Sequence, residues 1–132
     1  MRRALIGIRL QMVILAVVVA VTAQARAAVY YVVVAGLGGE PDYEQRFSAA
    51  AKDLDRVFKA GDSTAHVSTL TGAQATAAQL KETLAAVARD AKADDAFVLV
   101  LIGHGSFDGV EYKFNLTGPD VTAGEIDRKS VV

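Results

Sequence analysis

Phe97-Val98-Leu99-Val100-Leu101-Ile102-Gly103-His104-Gly105 is the stretch that decides the fold of this chain. Its apolar run lies between Asp94-Asp95 and Gly103, and it reads as a strand buried on both faces, the pattern of a parallel sheet. His104 then stands just past the carboxyl end of that strand, the edge of an open α/β sheet where ligands bind and chemistry is placed. The two flanking glycines let the backbone turn sharply and leave the Gly105 N–H unobstructed as a donor. The plain alternative is a turn histidine with no chemical task.

Working back from this strand, Val29 to Ala35 is a second apolar, β-branched and aromatic strand ended by Gly36-Leu37-Gly38-Gly39. Asp42 is a plausible helix N-cap with Gln45 three residues on, and Tyr43, Phe47, Ala50, Ala51, Leu54, Val57 and Phe58 follow at helical spacing up to Gly61. Ala65 to Leu70 is a more polar strand that suits a sheet edge. Gln74 to Lys92 is a helix started near Thr76, with Gln79 as capping partner and Leu80, Leu84, Val87 and Ala91 as its stripe. Strand, helix, strand, helix, strand in this order predicts right-handed crossovers, a parallel sheet and helices on both its faces.

Beyond His104 the period changes. Asp108-Gly109 is a hairpin-turn pair, and Val110, Tyr112, Phe114 and Leu116 alternate with Glu111, Lys113 and Asn115. Thr122 and Glu125 form a capping box opening a helix from Ala123. A parallel connection takes a dozen or more residues, so the pattern reads as the front part of a domain.

The first residues read as a targeting signal, residues 1–27. Arg2, Arg3 and Arg9 precede an uncharged apolar core from Met12 to Val21, and Ala23, Ala25 and Ala27 offer small residues for cleavage after Ala25 or Ala27. The apolar core is shorter than the ~20 residues of a membrane span. The remaining 28–132 suffices for one small domain. A net charge of −1 with interspersed signs argues against a nucleic-acid or anionic-membrane partner. The chain has no cysteine, so neither a disulfide framework nor a thiolate site exists within it.

Other motifs carry less. The Gly36 to Gly39 run lacks the later glycine of a dinucleotide fingerprint, since Pro41 stands in that place, and Ser68-Thr69-Leu70 ends the second strand without an acidic residue. It reads as a flexible turn or as the lining of a cleft. His66 reads as a surface residue. Asp94-Asp95 is a solvated turn at the opposite sheet edge. Asp108 either closes the hairpin turn or orients His104. Asn115-Leu116-Thr117 has the pattern of a glycosylation sequon. The two histidines and scattered carboxylates show no metal-ligand spacing, and no Gly-x-Ser-x-Gly elbow surrounds Ser106.

An apolar strand followed by Gly103-His104-Gly105 and a polar hairpin resembles the histidine half of the caspase-like cysteine peptidases. The run Leu101 to Gly109 is most similar to bacterial relatives of the legumain-type (C13) peptidases, and Ala35 to Tyr43 resembles their first strand-to-helix loop. The resemblance spans Val29 to about Ile126. It implies a three-layer α/β sandwich with a mainly parallel sheet, a hairpin after the third strand and a C-terminally incomplete domain. It further implies hydrolysis of a peptide or protein substrate without a cofactor or metal, with His104 as catalytic acid or base and Gly105 as oxyanion donor. Gly38, Gly39, Glu40 and Asp108 would line the substrate cleft. The family's nucleophilic cysteine would lie several tens of residues past Val132. On this reading the protein is exported, to the periplasm or beyond, has no membrane contact after processing, and exposes one edge of the third strand to self-association. A non-catalytic binding module of the same fold and an unrelated ligand-binding α/β domain are the alternatives.

Overall fold

The computed structural model describes residues 26–130, so the proposed targeting segment lies outside the described residues except for Arg26 and Ala27. The order of elements is β1 (Val29–Ala35), α1 (Pro41–Gly61), β2 (His66–Leu70), a 3₁₀ turn (Gly72–Gln74), α2 (Ala77–Asp90), β3 (Ala96–Ile102), β4 (Gly105–Phe107), β5 (Tyr112–Phe114), β6 (Val121–Thr122) and α3 (Ala123–Ser130). The protein is thus mixed α/β, with a three-stranded parallel sheet in the order β2-β1-β3 and a small antiparallel sheet in the order β4-β5-β6. Among the described residues no helix is long and apolar enough to cross a membrane.

Alternation along β1 divides the core. Val33 and Ala35 face α1 and pack with Ala51, Phe47, Leu54, Phe58, Val100 and Ile102. Val32 and Val34 face the other way, into a cluster with Leu70, Leu80, Leu84, Leu99, Leu116 and Val121. Helices therefore cover both sheet faces.

β1 is the strand buried on both faces: it is the central strand of the parallel sheet, and Val32, Val33 and Val34 are fully buried in the clusters on its two sides. β3 is not. Among the described residues it pairs only with β1, and Phe97, Val98 and Leu101 each keep nearly two-fifths of their surface exposed. The expectation of a doubly buried β3 is corrected to this extent: its composition suits a central strand, but here it occupies an edge. β2 takes the other edge, as its polarity predicts.

Two helix starts differ from expectation in instructive ways. α1 begins at Pro41, with Glu40 rather than Asp42 at the N-cap and no side-chain cap. Proline at the first helical position presents no N–H that needs a partner, so the cap is dispensable. α2 is shorter than Gln74 to Lys92, but Thr76 caps it as read, its Oγ1 accepting the Gln79 N–H at 3.2 Å. The Thr122–Glu125 box closes reciprocally: Glu125 Oε2 accepts the Thr122 N–H at 3.0 Å, and Thr122 Oγ1 accepts the Glu125 N–H at 3.2 Å.

Candidate functional site

Three segments leave the carboxyl edge of the parallel sheet together: the Gly36 to Glu40 loop after β1, the Gly103-His104 link after β3, and the β4–β5 hairpin. Their convergence has a steric cause. The Phe114 ring lies against Gly36 and Gly103, and a Cβ on Gly36 would stand 2.7 Å from that ring and 2.5 Å from the Asn115 carbonyl oxygen. On Gly103 a Cβ would reach the ring at 3.0 Å. These two glycines are required by close approach, since neither has a positive φ.

Asn115 binds the three segments. Its N–H donates to the His104 carbonyl at 3.0 Å, and its carbonyl accepts the Leu37 N–H at 2.9 Å. Its side-chain Nδ2 donates to Asp120 Oδ2 at 3.0 Å and to Ser106 Oγ at 3.3 Å, while Asp120 Oδ1 accepts the Leu116 N–H. In sequence Asn115 stands out only as the start of a sequon. Its place at the end of the alternating run, beside a turn rich in Gly and Pro, is the signal that bears on this role. The sequon amide is thus held within the turn.

The ladder of the hairpin sets the direction of the Gly105 N–H. The bonds Asn115 N–H to His104 O and Asp108 N–H to Glu111 O bracket the pairs Gly105–Phe114 and Phe107–Tyr112. In an antiparallel ladder such flanking bonds make these two the non-hydrogen-bonded pairs, so the Gly105 N–H faces away from β5. Beside Gly105 an apolar hollow of about 240 Å³ opens among Leu101, Tyr112, Phe114, Val121 and Ile126.

The His104 side chain is exposed and lies against α1, its ring 4.9 Å from that of Tyr43 at 76° and 5.1 Å from that of Phe47 at 70°. Gly38 is fitted to the same helix. Its N–H donates to Glu44 Oε2 at 2.8 Å, and a Cβ there would collide with the Glu44 backbone nitrogen. Gly39 turns the chain with φ +77°, and Glu40 projects to solvent at the N-cap.

Asp108 closes the hairpin. Its Oδ1 accepts the N–H groups of Val110 and Glu111, both at 3.0 Å, and its Oδ2 pairs with Lys113 Nζ at 2.8 Å. The Lys113 hydrogen bond, followed by the Glu111 and Val110 N–H bonds, holds this carboxyl well below its ordinary pKa. The turn role read from Asp108-Gly109 is therefore the one its contacts express.

At the far edge of the sheet His66 stacks on Tyr30, with centroids 4.5 Å apart. Asp95 joins the Ala28 and Lys92 N–H groups there, both at 2.8 Å, and these bonds lower its pKa. Neither residue approaches His104. Among the described residues no three His, Asp or Glu side chains gather as a metal site requires. Compared with known families, curated proteins and solved structures, the chain matches no family model, no curated protein and no solved structure.

Proposed function

We propose that this chain is the histidine-bearing part of an exported, caspase-like cysteine peptidase of the legumain type, acting on peptide or protein substrates. One observation carries the reading: His104 and Gly105 stand at the carboxyl edge of a parallel sheet, with the imidazole exposed and the Gly105 N–H directed away from its own hairpin. Helices on both sheet faces support the three-layer, caspase-like architecture that the resemblance implies.

In this role the His104 imidazole takes a proton from a cysteine thiol or delivers one to the leaving amine, and the Gly105 N–H stabilises the oxyanion of the tetrahedral intermediate. The Gly38-Gly39-Glu40 loop and the Asp108 hairpin form two walls of the cleft. The Gly38 N–H is held by Glu44, so substrate contacts on that wall fall to Gly39 and Glu40. This chemistry calls for no cofactor or metal. The nucleophile is not among the 132 residues.

That lack of cysteine also favours a second reading, a non-catalytic binding module of the same fold. Expression of the natural reading frame, followed past Val132, separates the two. A cysteine after a further apolar strand, with peptide turnover that His104→Ala lowers by about 10² to 10⁴, supports the peptidase. A frame with no such cysteine and no turnover supports the binding module. Export is tested by N-terminal sequencing of the expressed protein: a start at Arg26 or Ala28 supports it, and an intact Met1 in the cytoplasm overturns it.

A further inference from the structure

We propose that Tyr43 and Phe47 of α1 are positioning residues for the His104 imidazole, an aromatic clamp in the place where a carboxylate commonly orients a catalytic histidine. This rests on the reading of His104 as the reactive group, but the clamp itself is a property of the folded chain.

The His104 main chain is tied down on both sides: the Asn115 N–H reaches its carbonyl at 3.0 Å, and the Gly36 N–H reaches the Ile102 carbonyl at 2.8 Å. Side-chain rotation is the freedom that remains. Two rings from one helix face limit it, at 4.9 and 5.1 Å, within the 4.5 to 7 Å range of favourable edge contacts. Tyr43 and Phe47 are four residues apart, one helical turn, and their own rings lie 5.8 Å from each other. They act as two adjoining walls.

The walls are themselves anchored. Phe47 packs into the cluster of Val33, Ala35 and Ile102, so it is rooted in the sheet that ends at His104. Tyr43 stands further out, with the Arg46 guanidinium 6.0 Å above its ring. The Gly38 N–H to Glu44 bond and the close Gly38 backbone fix the first turn of α1 against the β1 loop. Asp108, the carboxylate nearest in sequence, is engaged with Val110, Glu111 and Lys113 instead. Aromatic walls orient a ring without occupying its nitrogens, which leaves both for proton transfer.

The test uses the chain as it stands, with Tyr43→Leu, Tyr43→Phe and Phe47→Leu. Two signals are read: the His104 ring-proton shifts, and the rate at which diethyl pyrocarbonate acylates His104, followed by mass spectrometry across pH with His66 in the same molecule as reference. In the folded wild type, ring currents displace the His104 protons from their values in the urea-unfolded chain. Tyr43→Leu should move them back toward those values and change the His104 acylation rate by about two- to tenfold, the factor that corresponds to one aromatic pair. Tyr43→Phe should restore both signals, and His66 should not change. Tyr43 is 40% exposed, so its variants retain the fold even if Phe47→Leu does not. Unchanged His104 shifts and acylation in folded Tyr43→Leu overturn the clamp. A clamp that passes this test in a protein whose natural form cleaves no peptide would remain, and the peptidase reading alone would fall.

Discussion

The backbone N–H of Asn115 stands 3.0 Å from the carbonyl oxygen of His104. Through this one bond the hairpin and the link after β3 become a single rigid corner, since Asn115 also receives the Leu37 N–H from the β1 loop. Position at the candidate site is therefore set by backbone pairing, and side chains refine it.

Asp120 is the support of that corner, accepting from Asn115 Nδ2 and from the Leu116 N–H. Asp120→Ala should lower unfolding stability by about 1 to 3 kcal/mol, the cost of leaving such groups unpaired. Urea denaturation followed by circular dichroism measures it. A change under a few tenths would mean that water replaces the carboxylate at no cost.

The two glycines under Phe114 should respond differently to rescue. Gly103→Ala meets chiefly the Phe114 ring, whereas Gly36→Ala also meets the Asn115 carbonyl oxygen of the backbone. Each should cost about 1 to 3 kcal/mol as overpacking. Phe114→Leu should recover part of the loss in Gly103→Ala and little in Gly36→Ala, as thermal melts of the single and double variants would report.

Acid should loosen α3 from α2. The Lys81 Nζ to Glu125 Oε1 contact of 2.7 Å, with the Thr122 N–H, holds the Glu125 carboxyl at about 2, below its ordinary 4.5. A carboxyl with a lowered folded-state value contributes stability that is complete above its unfolded value and lost as pH falls toward the folded one. The α3 amides should thus gain hydrogen-exchange rate, relative to those of β1, between about pH 4.5 and pH 2. In Glu125→Gln that added pH dependence should vanish.

The open side of β3 should draw chains together. Phe97, Val98 and Leu101 are part-exposed along an edge that no other described strand pairs with, and a hollow of about 590 Å³ lined by Leu99, Leu101, Ala123 and Ile126 runs beside it. Light scattering on the purified chain should show association that grows with concentration, and Val98→Lys should reduce it, since edge charges oppose strand pairing. A monodisperse monomer at high concentration would refute this.

As it stands, the chain should not turn over peptides, because the proposed mechanism needs a thiolate and there is no cysteine. Fluorogenic peptide assays of the purified protein check this. Turnover abolished by His104→Ala would mean a different chemistry at the same histidine.

Short-range chemistry in the sequence suffices for the main helices and strands of this protein, though not for the 3₁₀ turn Gly72–Gln74 or the two-residue strand Val121–Thr122. The Thr76 and Thr122–Glu125 caps and the Asp108-Gly109 turn each act within a few residues and stand where the sequence places them. The periodic patterns place the helices and strands but not all their ends, since the first helix starts at Pro41 behind Glu40 and the second spans only Ala77–Asp90. The same holds for the placement of His104 beyond β3, which follows from strand direction alone. Neighbour relations between distant segments were not legible. Both β1 and β3 are apolar throughout, so composition does not say which of them pairs on two sides; the sheet order does, placing β1 inside and β3 at the edge. Nor could spacing tell that Gly36 and Gly103 are small because Phe114 covers both, that Asn115 joins three loops, or that Tyr43 and Phe47 close on His104. Such contacts join residues tens of positions apart, and their existence depends on how the helices and the hairpin settle on the sheet, a decision of packing and backbone pairing that no local pattern encodes.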